Sequence, residues 1–393
     1  MRLPRAVALW AALTLPSFLV AGRLGGWPGD AALAVAAGLG VVAWRRLPAP
    51  ASRRGVALAA LATLAVVTAL FLAIYPRVNV HTPGSGSDDD DAQNIGVAAI
   101  LHGRSPYGER TYLGNRLHHL PGTFLLASPF VLAGSSAIQN LFWVAMFFVA
   151  IAAGTGSPRR ALQLAWLVLA ASPGILHQIV TGTAYAANTI AVLIGLNLIV
   201  RREGSDRLDA GDVAAAAFWG VTLATRANFL FLAPIAFGWI ARQRGWRAAG
   251  ASVAIAGGVA ALLTLPFLVH DGAAFAPLEA ANRLTRFDAV VPHAGAAIVI
   301  AMAAATCLMA FRLPDAASVY YACASVEAVP VVAGLALGLW RRGRFDAGFA
   351  SYATFFAWFV FAGTALDACR TEVYPKQHAV SQDVILAGAK PAG

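Results

Sequence analysis

The sequence VALAALATLAVVTALFLAIY (Val56–Tyr75) carries no charged side chain, and Arg53 and Arg54 precede it, separated from it only by Gly55. Its length is that of the ~20 residues with which a helix crosses ~30 Å of hydrocarbon. A helix also pairs its backbone N–H and C=O groups internally, as a lipid environment requires. This stretch therefore predicts a transmembrane helix that ends where the polar segment from Pro76 to His119 begins.

Similar apolar blocks recur along the chain, from Val7–Gly22 to Phe349–Leu366. The chain of 393 residues is 59% hydrophobic and only 12% charged, whereas soluble domains are roughly a quarter charged. The blocks do not alternate apolar and polar residues, as the strands of a membrane β-barrel would. We expect an all-α polytopic membrane protein, with about 11–13 transmembrane helices in one domain, residues 1–366. Residues 367–393 form a polar tail, and Val7–Gly22 is interpreted as an uncleaved first helix.

The net charge of +10 comes from arginines in short clusters between the apolar blocks. This distribution follows the positive-inside rule and argues against a nucleic-acid partner. The clusters predicted to be cytoplasmic are Arg45–Arg46, Arg53–Arg54, Arg159–Arg160, Arg201–Arg202, Arg242–Arg247 and Arg341–Arg344. Residues 76–120 then form the first large extracytoplasmic loop of a multi-pass protein of the cell (inner) membrane. The three cysteines show no metal-ligand spacing.

This loop contains four consecutive acids, Asp88–Asp91, followed by a short apolar stretch, Ile95–Leu101. Acids are favoured at a helix N-terminus, and the apolar stretch suits a short helix lying at the membrane surface. One interpretation is a solvated acidic loop that loosely binds a divalent cation at Asp88–Asp91. The other is a catalytic carboxylate, with mutual repulsion raising the pKa of a general base among Asp88, Asp89 and Asp91.

The order of motifs in this loop resembles a known pattern. Ala98-Ala99 follow the acids, then come Gly103-Arg104-Ser105-Pro106-Tyr107, Leu120-Pro121-Gly122 and Pro129. The ordered set resembles the first outer loop of the polyprenyl-phosphate-dependent glycosyltransferases of the GT-C superfamily, closest to glycosyltransferase family 87, which is mannosyltransferase-like. Three features depart from that pattern. No aromatic residue follows the acids, and the family's Tyr-Pro-Pro is replaced by Leu120-Pro121-Gly122. Two spans also precede the one that leads into the loop, where the simplest GT-C plan has one.

The resemblance implies a GT-C-like bundle that moves a sugar, with mannose the favoured candidate, from a polyprenyl-phosphate donor to an extracytoplasmic glycan or lipid acceptor. It implies an inverting hexosyltransferase, because one carboxylate base suffices for direct displacement. The phosphate ligands would be Arg226, Arg104 and Arg116, at the lipid interface. The substrate pocket would contain Tyr107, His118, His119, His177 and Tyr185. No cofactor or metal site follows with certainty, and membrane lipids are expected partners.

Two other classes of function stay open. A transporter or flippase of a lipid-linked or small polar substrate would place ionisable residues within broken helices near the midplane, whereas the acids here lie in a loop. A non-catalytic polytopic scaffold would leave the acidic loop inert. Arg104, Arg116, His118 and His119 also suit ordinary snorkelling at the membrane interface.

Overall fold

The computed structural model describes residues 3–82, 87–202, 204, 206–279, 287–288, 290–343 and 345–369. Within these ranges the chain is helical almost throughout, and its only extended pairing is an isolated bridge between Arg110 and Arg116. The all-α polytopic membrane protein expected from the sequence is confirmed. Most of the polar tail, residues 370–393, lies outside the described ranges.

The helices are numbered in chain order, and short 3-10 turns join several of them. They are α1 Leu3–Thr14, α2 Phe18–Ala43, α3 Arg53–Val78, α4 Asp89–Leu101, α5 Pro121–Leu132, α6 Gln139–Thr155, α7 Pro158–Ala171, α8 Pro173–Val180, α9 Tyr185–Val200, α10 Ala210–Leu223, α11 Ala233–Arg244, α12 Trp246–Asp271, α13 Ala294–Ala310, α14 Ala316–Arg342 and α15 Ala347–Cys369.

In the described residues, six helices are long and apolar enough to cross a membrane, or seven if the bent pair α7–α8 forms one span. The pair bends by 90° between Ala171 and Pro173. Four more apolar helices have 10–17 residues, fewer than the ~20 with which a helix usually crosses the bilayer. The figure of about 11–13 crossings therefore stays a prediction, because it requires short helices to cross in combination with their neighbours.

The N-terminal part of the chain folds back on itself. The backbone of α2 breaks at Gly26, whose φ of 57° belongs to the left-handed region that glycine tolerates. Beyond the break the chain returns along α1, and Trp10 donates its indole N–H to the carbonyl of Ala34 at 2.8 Å. The two predicted blocks, Val7–Gly22 and Ala31–Trp44, thus form the two arms of a helical hairpin.

Most of the arginine clusters meet at one end of the bundle, here called the basic end. Arg160 donates to the carbonyl of Arg45 at 2.9 Å. Both terminal nitrogens of Arg244 donate to the carboxylate of Asp212, at 2.9 and 2.7 Å, while Arg202 donates to the same carboxylate at 3.1 Å. These ion pairs tie the loops after α9 and α11 to the start of α10.

Arg341, by contrast, lies toward the other end of the bundle. Along α14, the hydroxyl of Tyr320 donates to Asn197 near the end of α9, and Glu327 then accepts from Asn228. The helix continues away from the basic end for several more turns before reaching Arg341. Arg341 thus lies apart from the other described clusters, and Arg344 lies outside the described residues. The cytoplasmic assignment of Arg341–Arg344 stays a prediction, because a position in the bundle does not fix which side of the membrane a loop faces. The rule used there describes an average bias of loops and does not fix each one.

The opposite end, here called the acidic end, is built by α4 and α5 packed together. Leu120, just before α5, donates its N–H to the carbonyl of Thr225 at 3.1 Å. Just after α5, Ser135 lies 2.9 Å from the hydroxyl of Tyr75, and Ser136 donates to the carbonyl of Asp90. His119, directly before α5, also contacts Asp89 of α4. Both ends of α5 thus lie near α4, so this apolar helix does not carry the chain across the bundle.

Candidate functional site

Asp89 is the centre of a buried polar cluster at the acidic end. Its Oδ1 accepts from Arg226 Nη2 and contacts His119 Nε2, each at 2.9 Å, and its Oδ2 accepts from the backbone N–H of Ala184 at 2.7 Å. Arg226 Nη2 also lies 3.1 Å from His119 Nε2. The Asp89 residue is only 9% exposed. Three other parts of the chain therefore converge on this one carboxylate.

Helix termini create this convergence. Asp89 is the first residue of α4, and Ala184 directly precedes α9. Backbone N–H groups at a helix N-terminus are unpaired within the helix and favour a negative charge. Arg226 occupies an extended position, φ −149° and ψ 143°, between α10 and the 3-10 segment Ala227–Leu232. The anion of the cluster, Asp89, therefore lies at the N-termini of two helices. Its cation, Arg226, lies where the chain is extended between two helical segments.

The guanidinium of Arg226 lies against two aromatic rings. Its central carbon is 4.9 Å from the ring centre of Tyr185 and 5.3 Å from that of Phe355. Contacts between a guanidinium and a ring face add an electrostatic attraction to the packing. The structure thus brings the predicted pocket residue Tyr185 and the predicted phosphate ligand Arg226 into one site with Asp89 and His119.

The close approach of α5 and α10 places His119 beside Arg226. Gly122 donates its N–H to the carbonyl of Ala224 at 2.8 Å, and Thr123 donates its hydroxyl to the carbonyl of Thr225 at 2.9 Å. A Cβ on Gly122 would lie 2.6 Å from the oxygen of Ala224. Proline, which the resembled family has here, lacks the N–H that makes this contact. The replacement of Tyr-Pro-Pro by Leu120-Pro121-Gly122 therefore fits the close contact between α5 and α10.

The four acids do not face one another. Asp88 Oδ2 accepts from Thr111 and Asn115, both at 2.7 Å. Asp91 Oδ2 accepts from the backbone N–H of Tyr112 at 3.0 Å. Because a helix turns by about 100° per residue, neighbouring side chains in its first turn diverge. The sequence predicted that mutual repulsion of the four carboxylates would raise the pKa of one of them. The four carboxylates point in different directions, so they do not form one repelling group.

Two of the acids have displaced pKa values in opposite directions. Burial alone would raise the pKa of Asp89, but Arg226, His119 and the N–H of Ala184 outweigh it and lower that pKa. Asp90, whose Oδ2 accepts from Tyr75 at 2.6 Å, has its pKa raised to about 6 by burial and by the charge of Asp89. Asp89 is thus held as a carboxylate, while Asp90 is readily protonated.

The remaining predicted site residues lie around this cluster with other partners. The buried hydroxyl of Tyr107 donates to the carbonyl of His119 at 3.0 Å, and His118 Nδ1 lies 3.3 Å from the carbonyl of Ala276. Arg104 has a 62% exposed side chain that pairs with Glu109 at 2.6 Å. Tyr107 therefore holds the backbone of His119 by a hydrogen bond, whereas Arg104 forms its ion pair with Glu109 at the protein surface.

Arg116 and His177 lie at the edges of the predicted site. Arg116 is half-buried in the bridge with Arg110, and His177 is exposed on α8 while its neighbour Gln178 is buried. The structure shows no direct contact of either with Asp89 within the described ranges. Phe355 and Ala184 were missed from the sequence, because an aromatic or alanine within an apolar block carries no signal of a site.

A divalent cation at Asp88–Asp91 stays a prediction. In the parts of the chain that the structure describes, no three His, Cys, Asp or Glu side chains are grouped as metal ligands. Comparisons of the chain with protein-family models, with curated proteins and with solved structures found no match.

Proposed function

We propose that the protein is a membrane glycosyltransferase of the GT-C type. It transfers a sugar, with mannose the favoured candidate, from a polyprenyl phosphate to an extracytoplasmic glycan or lipid acceptor. The observation that carries the proposal is the contact of Asp89 with Arg226 and His119 at the acidic end. A carboxylate beside cationic and hydrogen-bonding groups supplies both components that the reaction needs, a proton acceptor and a phosphate ligand.

In this proposal the acceptor hydroxyl attacks the anomeric carbon of the donor sugar. The bond from that carbon to the phosphate oxygen breaks, and the polyprenyl phosphate leaves with both bonding electrons. The hydroxyl proton passes to Asp89, and the anomeric configuration inverts. Arg226 stabilises the charge that develops on the departing phosphate, while His119 orients the carboxylate and Tyr185 forms one wall of the sugar pocket.

The pairing of Asp89 with Arg226 has a consequence for this chemistry. A carboxylate whose pKa is lowered by a guanidinium is a weak base. When a carrier phosphate takes up part of the positive charge of Arg226, the carboxylate becomes a stronger base. Donor binding would then prepare the base, so that deprotonation of the acceptor follows the arrival of the donor.

A transporter is the second candidate, because of Glu327. This carboxyl lies inside α14, in the interior of the bundle, and is 1% exposed. Ionisable residues within transmembrane helices often mark a transport pathway, and Pro330 interrupts the hydrogen bonding of the same helix. Against transport, the clustered polar groups lie at one end of the bundle and include helix termini that suit an anionic ligand.

The test is transfer of radiolabelled mannose from mannosyl undecaprenyl phosphate in membranes that contain the full chain. Asp89→Asn is expected to lower the rate by about 10²–10⁴-fold, the usual contribution of a general base. Asp88→Asn, which alters a carboxylate held by Thr111 and Asn115, serves as the matched control and retains most of the rate. Equal rates for wild type and Asp89→Asn, at equal protein levels, would refute Asp89 as the base.

A further inference from the structure

Glu327 makes one specific contact within the membrane-spanning bundle. Its Oε2 accepts from Asn228 Nδ2 at 2.6 Å. Its Oε1 is buried and has no hydrogen-bond partner among the described residues. A buried carboxyl with one oxygen unsatisfied is energetically expensive and calls for a specific role. The residue to which Glu327 is hydrogen-bonded, Asn228, lies only two positions after Arg226.

The segment reached by Glu327 has little regular support of its own. Ala227–Leu232 is a 3-10 segment, with poorer hydrogen-bond geometry than an α-helix. No side chain caps its beginning at Arg226. Besides Glu327 on α14, Thr306 on α13 donates its hydroxyl to the carbonyl of Phe231 at 2.5 Å. Side chains from neighbouring helices therefore replace the helical bonds that this segment lacks.

Arg226 is consequently anchored on both sides. Before it, the carbonyl of Thr225 accepts from Thr123 and from the backbone N–H of Leu120. After it, Asn228 is held by Glu327. The extended backbone of Arg226 between these anchors decides whether its long side chain reaches Asp89. A buried polar bond that fixes one arrangement gains specificity rather than stability.

We propose that Glu327 is a positioning residue: by holding Asn228 it keeps Arg226 in contact with Asp89. The contact between Glu327 and Asn228 requires only an acceptor oxygen, so a glutamine can replace the carboxyl. The further step, that the position of Arg226 governs phosphate affinity, rests on the proposed function. The positioning itself does not, and it can be measured without any sugar donor.

The experiment uses dicyclohexylcarbodiimide, a lipophilic reagent that modifies protonated carboxyl groups. The purified full chain in detergent is treated with it, and modification of Asp89 is quantified by mass spectrometry of the peptides. Asp89 in contact with Arg226 stays ionised and is protected. Glu327→Leu and Asn228→Ala are expected to increase its modification by about tenfold, the change in protonated fraction for one pKa unit. Arg226→Gln removes the guanidinium altogether and should give the highest modification of Asp89.

Two variants separate positioning from a general loss of structure. Glu327→Gln retains an acceptor for Asn228 and is expected to protect Asp89 like the wild type. Tyr320→Phe removes another buried hydrogen bond on the same helix, to Asn197, and is also expected to protect Asp89. The proposal is overturned if Glu327→Leu protects Asp89, if Glu327→Gln exposes it, or if Arg226→Gln leaves it unmodified.

Binding of undecaprenyl monophosphate, measured on the same variants, tests the dependence on the proposed function. If undecaprenyl monophosphate binds more weakly to Glu327→Leu than to Tyr320→Phe, the result supports both the positioning role of Glu327 and the phosphate role of Arg226. If the lipid phosphate binds all variants equally while Asp89 loses protection only in Glu327→Leu and Asn228→Ala, the positioning role stands. The phosphate role of Arg226 is then refuted.

Discussion

Arg226 and Asp89 are separated by 137 positions in the sequence, yet their side chains are 2.9 Å apart. One follows α10 and the other begins α4, and neither lies within a regular helical turn of a spanning helix. The pair is buried, with exposed side-chain fractions of 14% and 10%. A buried charged pair in this position keeps Asp89 ionised, because Arg226 lowers the pKa of that carboxyl.

Replacing Asp89 by Asn should destabilise the protein. The substitution leaves the guanidinium of Arg226 buried without its carboxylate, which typically costs about 3–5 kcal/mol in the free energy of unfolding. Thermal unfolding of the purified protein in detergent measures the loss. The double variant with Arg226→Gln removes both charges and should recover part of it. If Asp89→Asn alone unfolds at the wild-type temperature, the ion pair contributes no stability.

The protonation of Asp90 predicts a dependence of stability on pH. Its pKa is raised from 3.8 to about 6 by burial, so the folded protein binds this proton more tightly than the unfolded chain. The stability from this group is complete below about pH 4 and falls as the pH rises through 6. Asp90→Asn mimics the protonated form and should stabilise the protein at pH 8 by up to about 3 kcal/mol.

The same substitution should give much less advantage at pH 4, where Asp90 is protonated in the folded protein and close to half-protonated in the unfolded chain. Unfolding curves at both pH values check this prediction. Asp206→Asn removes a carboxylate from an exposed loop at the basic end and serves as the control, with a small effect at either pH. A gain for Asp90→Asn that is equal at pH 4 and pH 8 would contradict the assignment.

Gly122→Ala should be strongly destabilising. Its added methyl group would lie 2.6 Å from the carbonyl oxygen of Ala224 and closer still to that of Val221. Separation of α5 from α10 to relieve this contact should cost about 1–3 kcal/mol and lower transfer, because His119 moves away from Arg226. Gly250→Ala on α12, where an added Cβ meets nothing within 4 Å, is the control. A smaller effect at Gly122 than at Gly250 would rule out the close approach.

The orientation of the bundle can be measured by labelling. In a variant without Cys307, Cys323 and Cys369, a cysteine is placed at Ser87, near the acidic end, or at Asp209, at the basic end. A membrane-impermeant maleimide added to intact cells should label the first and spare the second, as the arginine clusters predict. Labelling in the reverse order would place the acidic end inside the cell and eliminate the proposed extracytoplasmic transfer.

Individual helices show how much of the fold the sequence could predict. The apolar run Val56–Tyr75 lies within α3, because length and hydropathy suffice to identify a spanning helix. The run Pro121–Leu132 is also apolar, yet the residues just before and just after it contact α4. Hydropathy measures transfer into an apolar environment and does not distinguish lipid from the interior of the protein, so α5 could not be separated from a crossing helix.

The candidate site was only partly predictable for a related reason. Asp89, His119, Arg226 and Tyr185 could be named because polar residues beside apolar blocks are conspicuous. Their contacts could not be derived, since they depend on how helices far apart in sequence pack together. Glu327 stood within an apolar block and gave the clearest unexploited signal, an acid where hydrocarbon or protein interior was expected.

The packing of α4 against α5 also separates two tasks within the chain. These helices form a layer at one end whose inner side carries Asp89, while Leu101 and Leu125 are exposed, so substitutions at these two leucines should leave the contacts of Asp89 in place.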